Sequence, residues 1–138
     1  MFLNKRIFKS LTALLLIAVF MIIPSVSAFA ANTASGSTGT MNSLNGAVST
    51  AWPITVPSSH TGDVTSVTLN LSISNGSDPF DIILTAPNGD VHVQRAVSGN
   101  NTITKFNGKI PAAGTWRVAI QTYGTVSTAT GRLTVNSL

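Results

Sequence analysis

The chain has 138 residues, no cysteine, four acids (all aspartate), 9% charged residues and a formal net charge of +4. That length confines it to a single domain behind any leader. The missing cysteine excludes a disulfide framework and a thiolate zinc site, and the sparse charge excludes the clustered basic face that nucleic-acid binding needs.

The first element in chain order is a leader. Lys5, Arg6 and Lys9 precede an apolar run from Leu11 to Ile23, Pro24 breaks it, and Ala28-Phe29-Ala30 presents small residues where a signal peptidase reads them. The run of about 13 residues is short of the roughly 20 that span a bilayer as a helix. Residues 1–30 therefore read as a secretory signal peptide cleaved after Ala30, with Val26-Ser27-Ala28 the alternative site. Beyond it, Arg95, Lys105, Lys109, Arg117 and Arg132 stand against Asp63, Asp78, Asp81 and Asp90, so the charge falls to near +1. The expected location is extracellular, in the medium or at the cell surface. No membrane contact is expected after cleavage and no nucleic-acid partner. The compact leader and absence of cysteine favour a bacterial protein of the Gram-positive type.

Residues 31–46 are rich in Ala, Ser, Thr, Gly and Asn and lack apolar period, which predicts a flexible segment ahead of a domain over 47–138. Val64 to Ser74 alternates, with Val67, Leu69, Leu71 and Ile73 on one face, and predicts a half-buried strand. Phe80 to Leu84 is a denser apolar run. Pro87-Asn88-Gly89-Asp90 follows as a turn, and Val91 and Val93 then alternate with His92 and Gln94, His92 falling on the outward face. Asn107-Gly108 and Pro111 to Gly114 punctuate the next stretch. Trp116, Val118 and Ile120 then share a core face opposite Arg117, Ala119 and Gln121. Thr130 to Val135 closes the chain, and at a sheet edge it would invite strand pairing between copies. Seven or eight short strands without helical periodicity predict an all-β fold, an antiparallel β-sandwich or jelly roll.

Catalytic chemistry finds little to work with. There are two histidines, His60 and His92, and no Gly-x-Ser-x-Gly elbow. Ser59, His60 and Asp63 lie together in a polar run of the kind that bonds its own backbone in turns. Asp78 and Asp81, three apart, point to opposite faces of a strand and make no glycosidase pair. The expectation is a non-enzyme without a cofactor. The one metal that the residue types suit is a structural Ca²⁺, with oxygen ligands from Asn75, Asp78, Asp81 and Asp90 at one end of the sandwich; ordinary turn acids are the competing reading. Trp116 follows the core pattern. Trp52 and Tyr123 are the aromatic candidates for an exposed ligand platform.

Asp81-Ile-Ile-Leu-Thr-Ala-Pro-Asn-Gly89, Phe106-Asn-Gly108, Ala113-Gly-Thr-Trp116 and Gly131-Arg-Leu133 together resemble, in order, the strand and turn elements of the P (Homo B) domains. Those domains follow the catalytic unit of kexin-type and bacterial subtilisin-like proteases. The chain is similar, less closely, to bacterial pre-peptidase C-terminal domains. Gln121 stands where the family commonly has Asp, and the closing strand lacks the family's usual Trp. The resemblance covers about residues 64 to 138 and implies a β-sandwich of accessory character, while the chain beyond the leader is too short to hold a protease. The expected function is a secreted, non-catalytic binding or interaction module whose partner is an extracellular polymer or a secreted protein, the latter including a protease. The alternatives are an accessory partner or regulator of a secreted subtilisin-like protease, and a small secreted hydrolase.

Overall fold

A computed structural model describes residues 31–138; the expected signal peptide lies outside the described residues. Nine strands follow in chain order: β1 (Asn32–Ser37), β2 (Met41–Leu44), β3 (Trp52–Val56), β4 (Val64–Asn75), β5 (Phe80–Thr85), β6 (Val91–Arg95), β7 (Gly99–Ile103), β8 (Gly114–Thr122) and β9 (Val126–Ser137). The first sheet has the order β1-β9-β4-β7, and β2 pairs with β9 beyond the end of β1; the second has the order β3-β8-β5-β6. All pairings are antiparallel. The described residues form an all-β sandwich, as their alternation predicts.

Period-two alternation puts one face of each long strand between the sheets. Val67, Leu69 and Leu71 of β4 and Leu133 and Val135 of β9 meet Ile82 and Leu84 of β5 and Trp116, Val118 and Ile120 of β8, all buried. Trp116 is 0% exposed, and its indole N–H donates to the Ala112 carbonyl at 2.9 Å. The edge of Phe106 meets its ring at a centroid distance of 5.3 Å, the T-shaped geometry that aromatic quadrupoles favour. The apolar strand faces read from sequence thus form one core.

Two expectations change. Residues 31–46, expected to be flexible, contribute β1 and β2, both hydrogen-bonded along β9. A ladder needs main-chain groups rather than apolar mass, and the small side chains are useful here. A Cβ on Gly36 would stand 2.8 Å from Cγ2 of Ile54, so glycine lets β1 close over β3 of the other sheet. The closing strand β9, whose place in the sheet the sequence leaves open, is internal, between β1 or β2 on one side and β4 on the other.

The second change is in β6, whose faces are reversed. His92 and Gln94 turn inward, partly buried, with His92 Nε2 and Gln94 Oε1 2.9 Å apart and the imidazole edge-on to Phe106. Val91 and Val93 are left 44% and 54% exposed on the outer face. Register explains it. Asp81 pairs with Arg95 and Ile83 with Val93, so the inward residues Ile82 and Leu84 fall opposite Gln94 and His92.

Candidate functional site on the outer face of the second sheet

The turn that carries the chain from β8 in the second sheet to β9 in the first meets the start of β5 at one end of the sandwich. This inter-sheet turn is fixed by buried hydroxyls. Ser49 Oγ accepts the Ile120 N–H at 3.0 Å, Ser43 Oγ accepts the Thr122 N–H at 2.8 Å, and Ser127 Oγ donates to Thr122 Oγ1 at 2.9 Å. Ser43 and Ser127 are 0% exposed, and a polar group buried at that depth is tolerated because it is bonded. Asp78 completes the frame from the other side. One of its carboxylate oxygens accepts the N–H groups of Thr125 at 2.7 Å and Val126 at 3.2 Å. Gly124 is required beneath it, since a Cβ there would lie 2.3 Å from the Asp78 carboxyl carbon.

This frame holds Tyr123 outward, 61% exposed. Its phenol donates to Asp81 Oδ2. Asp81 Oδ1 lies 3.7 Å from Arg95 Nε, and the Arg95 guanidinium stands 4.6 Å from the Tyr123 ring centroid, within cation–π range. Gln121, the next outward residue of β8, donates to the Gly46 carbonyl at 2.8 Å. Gly46, Asp81, Gln121, Thr122 and Tyr123 line a cleft of about 270 Å³. The hydrogen bond to the Asp81 carboxylate is the main cause that raises the Tyr123 pKa above 10.0, with the Arg95 cation working in the opposite direction. At neutral pH the site presents a neutral phenol hydrogen-bonded to a carboxylate, with a guanidinium over one face of its ring.

Of the two aromatic candidates, only Tyr123 is on this surface. Trp52 pairs with Val118 and so faces inward, half-buried against the core. A Cβ on Gly39 would lie 2.4 Å from its ring, so the link between β1 and β2 covers it. Trp52 and Tyr123 make no common platform.

The four oxygen donors also separate. Asp78 caps the turn between β8 and β9, and Asp81 is engaged with Tyr123 and Arg95. Asn75 ends β4 and accepts from Ser77 Oγ at 3.3 Å. Asp90 belongs to the β5–β6 turn, where Asn88 donates to it at 3.0 Å, at the far end of β5 from Asp81. The turn geometry of the β5–β6 hairpin carries Asp90 away, so the expected convergence at one end does not occur. Among the described residues no three His, Cys, Asp or Glu side chains group as metal ligands. Ser59, His60 and Asp63 make no side-chain hydrogen bonds to one another; the His60 N–H closes a turn on the Pro57 carbonyl at 3.0 Å.

Sequence reasoning missed Arg95 as a partner of Tyr123, Gln121 as its neighbour in the cleft, and the buried serines. The signal for the latter is a Ser at an inward position of an alternating strand, as in Met41-Asn-Ser43. Arg95 becomes visible only once the hairpin register sets it opposite Asp81.

No protein-family model and no curated protein matches the chain. Among solved structures, FlhE is similar over 78% of this chain and 96% of its own, at 18% identity and a TM-score of 0.49. The SPBc2 prophage-derived protein YomS is similar over 82% of this chain and 100% of its own, at 14% identity and a TM-score of 0.42. A family two carbohydrate esterase from Cellvibrio japonicus is similar over 79% of this chain and 35% of its own, at 16% identity and a TM-score of 0.39. Likeness at this level carries no functional argument, and the site is read from its own residues.

Proposed function

We propose that the chain is a secreted, non-catalytic β-sandwich module that binds a polyhydroxylated polymer at the cell surface or in the medium. The observation that carries this reading is Tyr123. An aromatic ring 61% exposed stands on the turn between β8 and β9, which Asp78 fixes through the Thr125 and Val126 N–H groups, with Asp81 at its hydroxyl and Arg95 over one face. An apolar ring complements the C–H face of a sugar, and the carboxylate, guanidinium and Gln121 amide around it offer donors and acceptors to sugar hydroxyls. The site is made ready before binding, which reduces the ordering cost of association. The turn joins two strands that are each paired on both sides within their own sheet, β8 with β3 and β5 and β9 with β4 and with β1 or β2, a rigid support for a contact residue.

Sedimentation with insoluble cell-wall and plant polysaccharide fractions tests the reading. Tyr123→Ala is expected to weaken retention at least tenfold, about 1.4 kcal/mol, with no loss of thermal stability. Equal retention of the variant, or no retention of the parent by any glycan fraction, would overturn it.

A further inference from the structure

The outer face of the first sheet, on the opposite side of the sandwich, has different chemistry. Its outward residues are almost all hydroxyl or amide: Thr130, Thr134 and Asn136 of β9, Ser66, Thr68, Asn70 and Ser72 of β4, Thr33, Ser35 and Ser37 of β1. The only charged side chain in this array is Arg132, which pairs with Asn70 and Ser37 across the two neighbouring strands. Its Nη2 donates to Ser35 Oγ at 2.7 Å, and among the described residues no carboxylate lies in ion-pair range of it; Arg95 with Asp81 is the ion pair found there.

The strand plan opens a depression beside this arginine. Along β9, β1 stops pairing at Arg132 and β2 begins at Ala129. In the gap Thr38 folds over the edge, its N–H donating to the Gly131 carbonyl at 2.8 Å and its Oγ1 accepting the Gly131 N–H at 2.8 Å. The result is a hollow of about 420 Å³ lined by Ser37, Thr38, Asn70, Ser72, Thr130 and Arg132, with Gly131 at its floor. The Ser37, Ser72 and Thr130 hydroxyls make no hydrogen bond within the described structure. Asn70 gives its amide N–H to Asn100 at 2.8 Å, which leaves its own carbonyl free.

We infer that this hollow is a second binding site, and that its ligand is an anionic group carried on a polyol or sugar chain. The argument is charge and hydrogen-bond complementarity. An unpaired guanidinium on a face without carboxylates takes an oxyanion in its planar fork, and three free hydroxyls with an amide carbonyl take the hydroxyls flanking that anion. The site is independent of the Tyr123 cluster, because it lies on the other sheet. A module with both sites has two polymer contacts on opposite faces and can bridge two chains.

The test is a titration of the purified protein followed by backbone amide NMR, with three probes: a short oligogalacturonate, a glycerol phosphate oligomer, and the methyl-esterified neutral oligogalacturonate. The expected result is that an anionic probe shifts the amides of Ser72, Thr130, Gly131 and Arg132 while the neutral ester does not. Arg132→Gln should weaken that binding at least tenfold at an unchanged melting temperature. The tighter of the carboxylate and phosphate probes identifies the source of the anion. Thr130→Val, which keeps the strand and removes a free hydroxyl, should weaken binding several-fold. The inference is overturned if neither anion moves these amides, if the neutral ester binds as well as the acid, or if Arg132→Gln binds like the parent.

Discussion

Tyr123 and Trp52 show how burial separates two residues of similar promise. Both stand beside loops, and a sequence gives each about the same claim to be exposed. Strand register decides between them: Trp52 opposite Val118 points inward, and Tyr123, one residue past the buried Thr122, points out. The phenol is the more informative of the two. Its raised pKa comes first from donating to Asp81, so it should titrate, by absorbance near 295 nm, above the ordinary tyrosine value, and Asp81→Asn should bring it down toward about 10. The neutral phenol is the form favoured by the fold. Any stability linked to it is therefore fully present below the unfolded value and declines as pH rises through the native one. A phenol that titrates alike in both proteins would mean that the Asp81 contact is not kept in solution. Trp116 is the opposite case, legible from alternation alone. With its ring fully buried and its N–H bonded to Ala112, Trp116→Ala should cost about 3–5 kcal/mol in urea unfolding.

At the scale of elements, the long alternating strands β4, β8 and β9 were readable because each has enough apolar side chains on one face to display the period. β1 and β2 were not. Asn32-Thr-Ala-Ser-Gly-Ser37 has the composition of a linker, and its strand state depends on β9, nearly a hundred residues away, offering a free edge. Composition carries no trace of that partner. Hydrogen exchange should distinguish the two states: alternate amides of β1 should be protected, as those of β9 are, and exchange at free-peptide rates would return the segment to a tail. β6 was misread for a related reason. Its alternation is real, but which of its faces is inward is set by the turn after β5, and a period of two is silent on its own phase. The inter-sheet turn between β8 and β9 depends on Asp78. Asp78→Ala should cost about 1.5–3 kcal/mol, the range for hydrogen bonds to a charged acceptor. Asp78→Asn keeps an acceptor oxygen and should recover part of that loss. Equal stability of the alanine variant would remove Asp78 from the frame.

For the whole molecule, the two sheets give two surfaces of different character around one core. The second sheet presents an aromatic ring with charged partners and a pair of exposed valines on β6. The first presents hydroxyls, amides and a single guanidinium. A chain with so few charges and no cysteine gains its fold from packing and strand pairing, and its outer faces are free to carry contacts. The fold was therefore legible from the sequence in class and in most of its core. The site was legible only as separate residues, because Asp81, Arg95 and Tyr123 become neighbours through two strand registers that no local pattern announces. The proposal that Tyr123 is the contact residue of a polymer-binding module is tested by the dissociation constant of the purified protein for its best-retained polysaccharide, measured beside that of Tyr123→Ala with the melting temperature of each. The variant is expected to bind at least tenfold more weakly at the same melting temperature; equal constants would rule Tyr123 out as the contact residue.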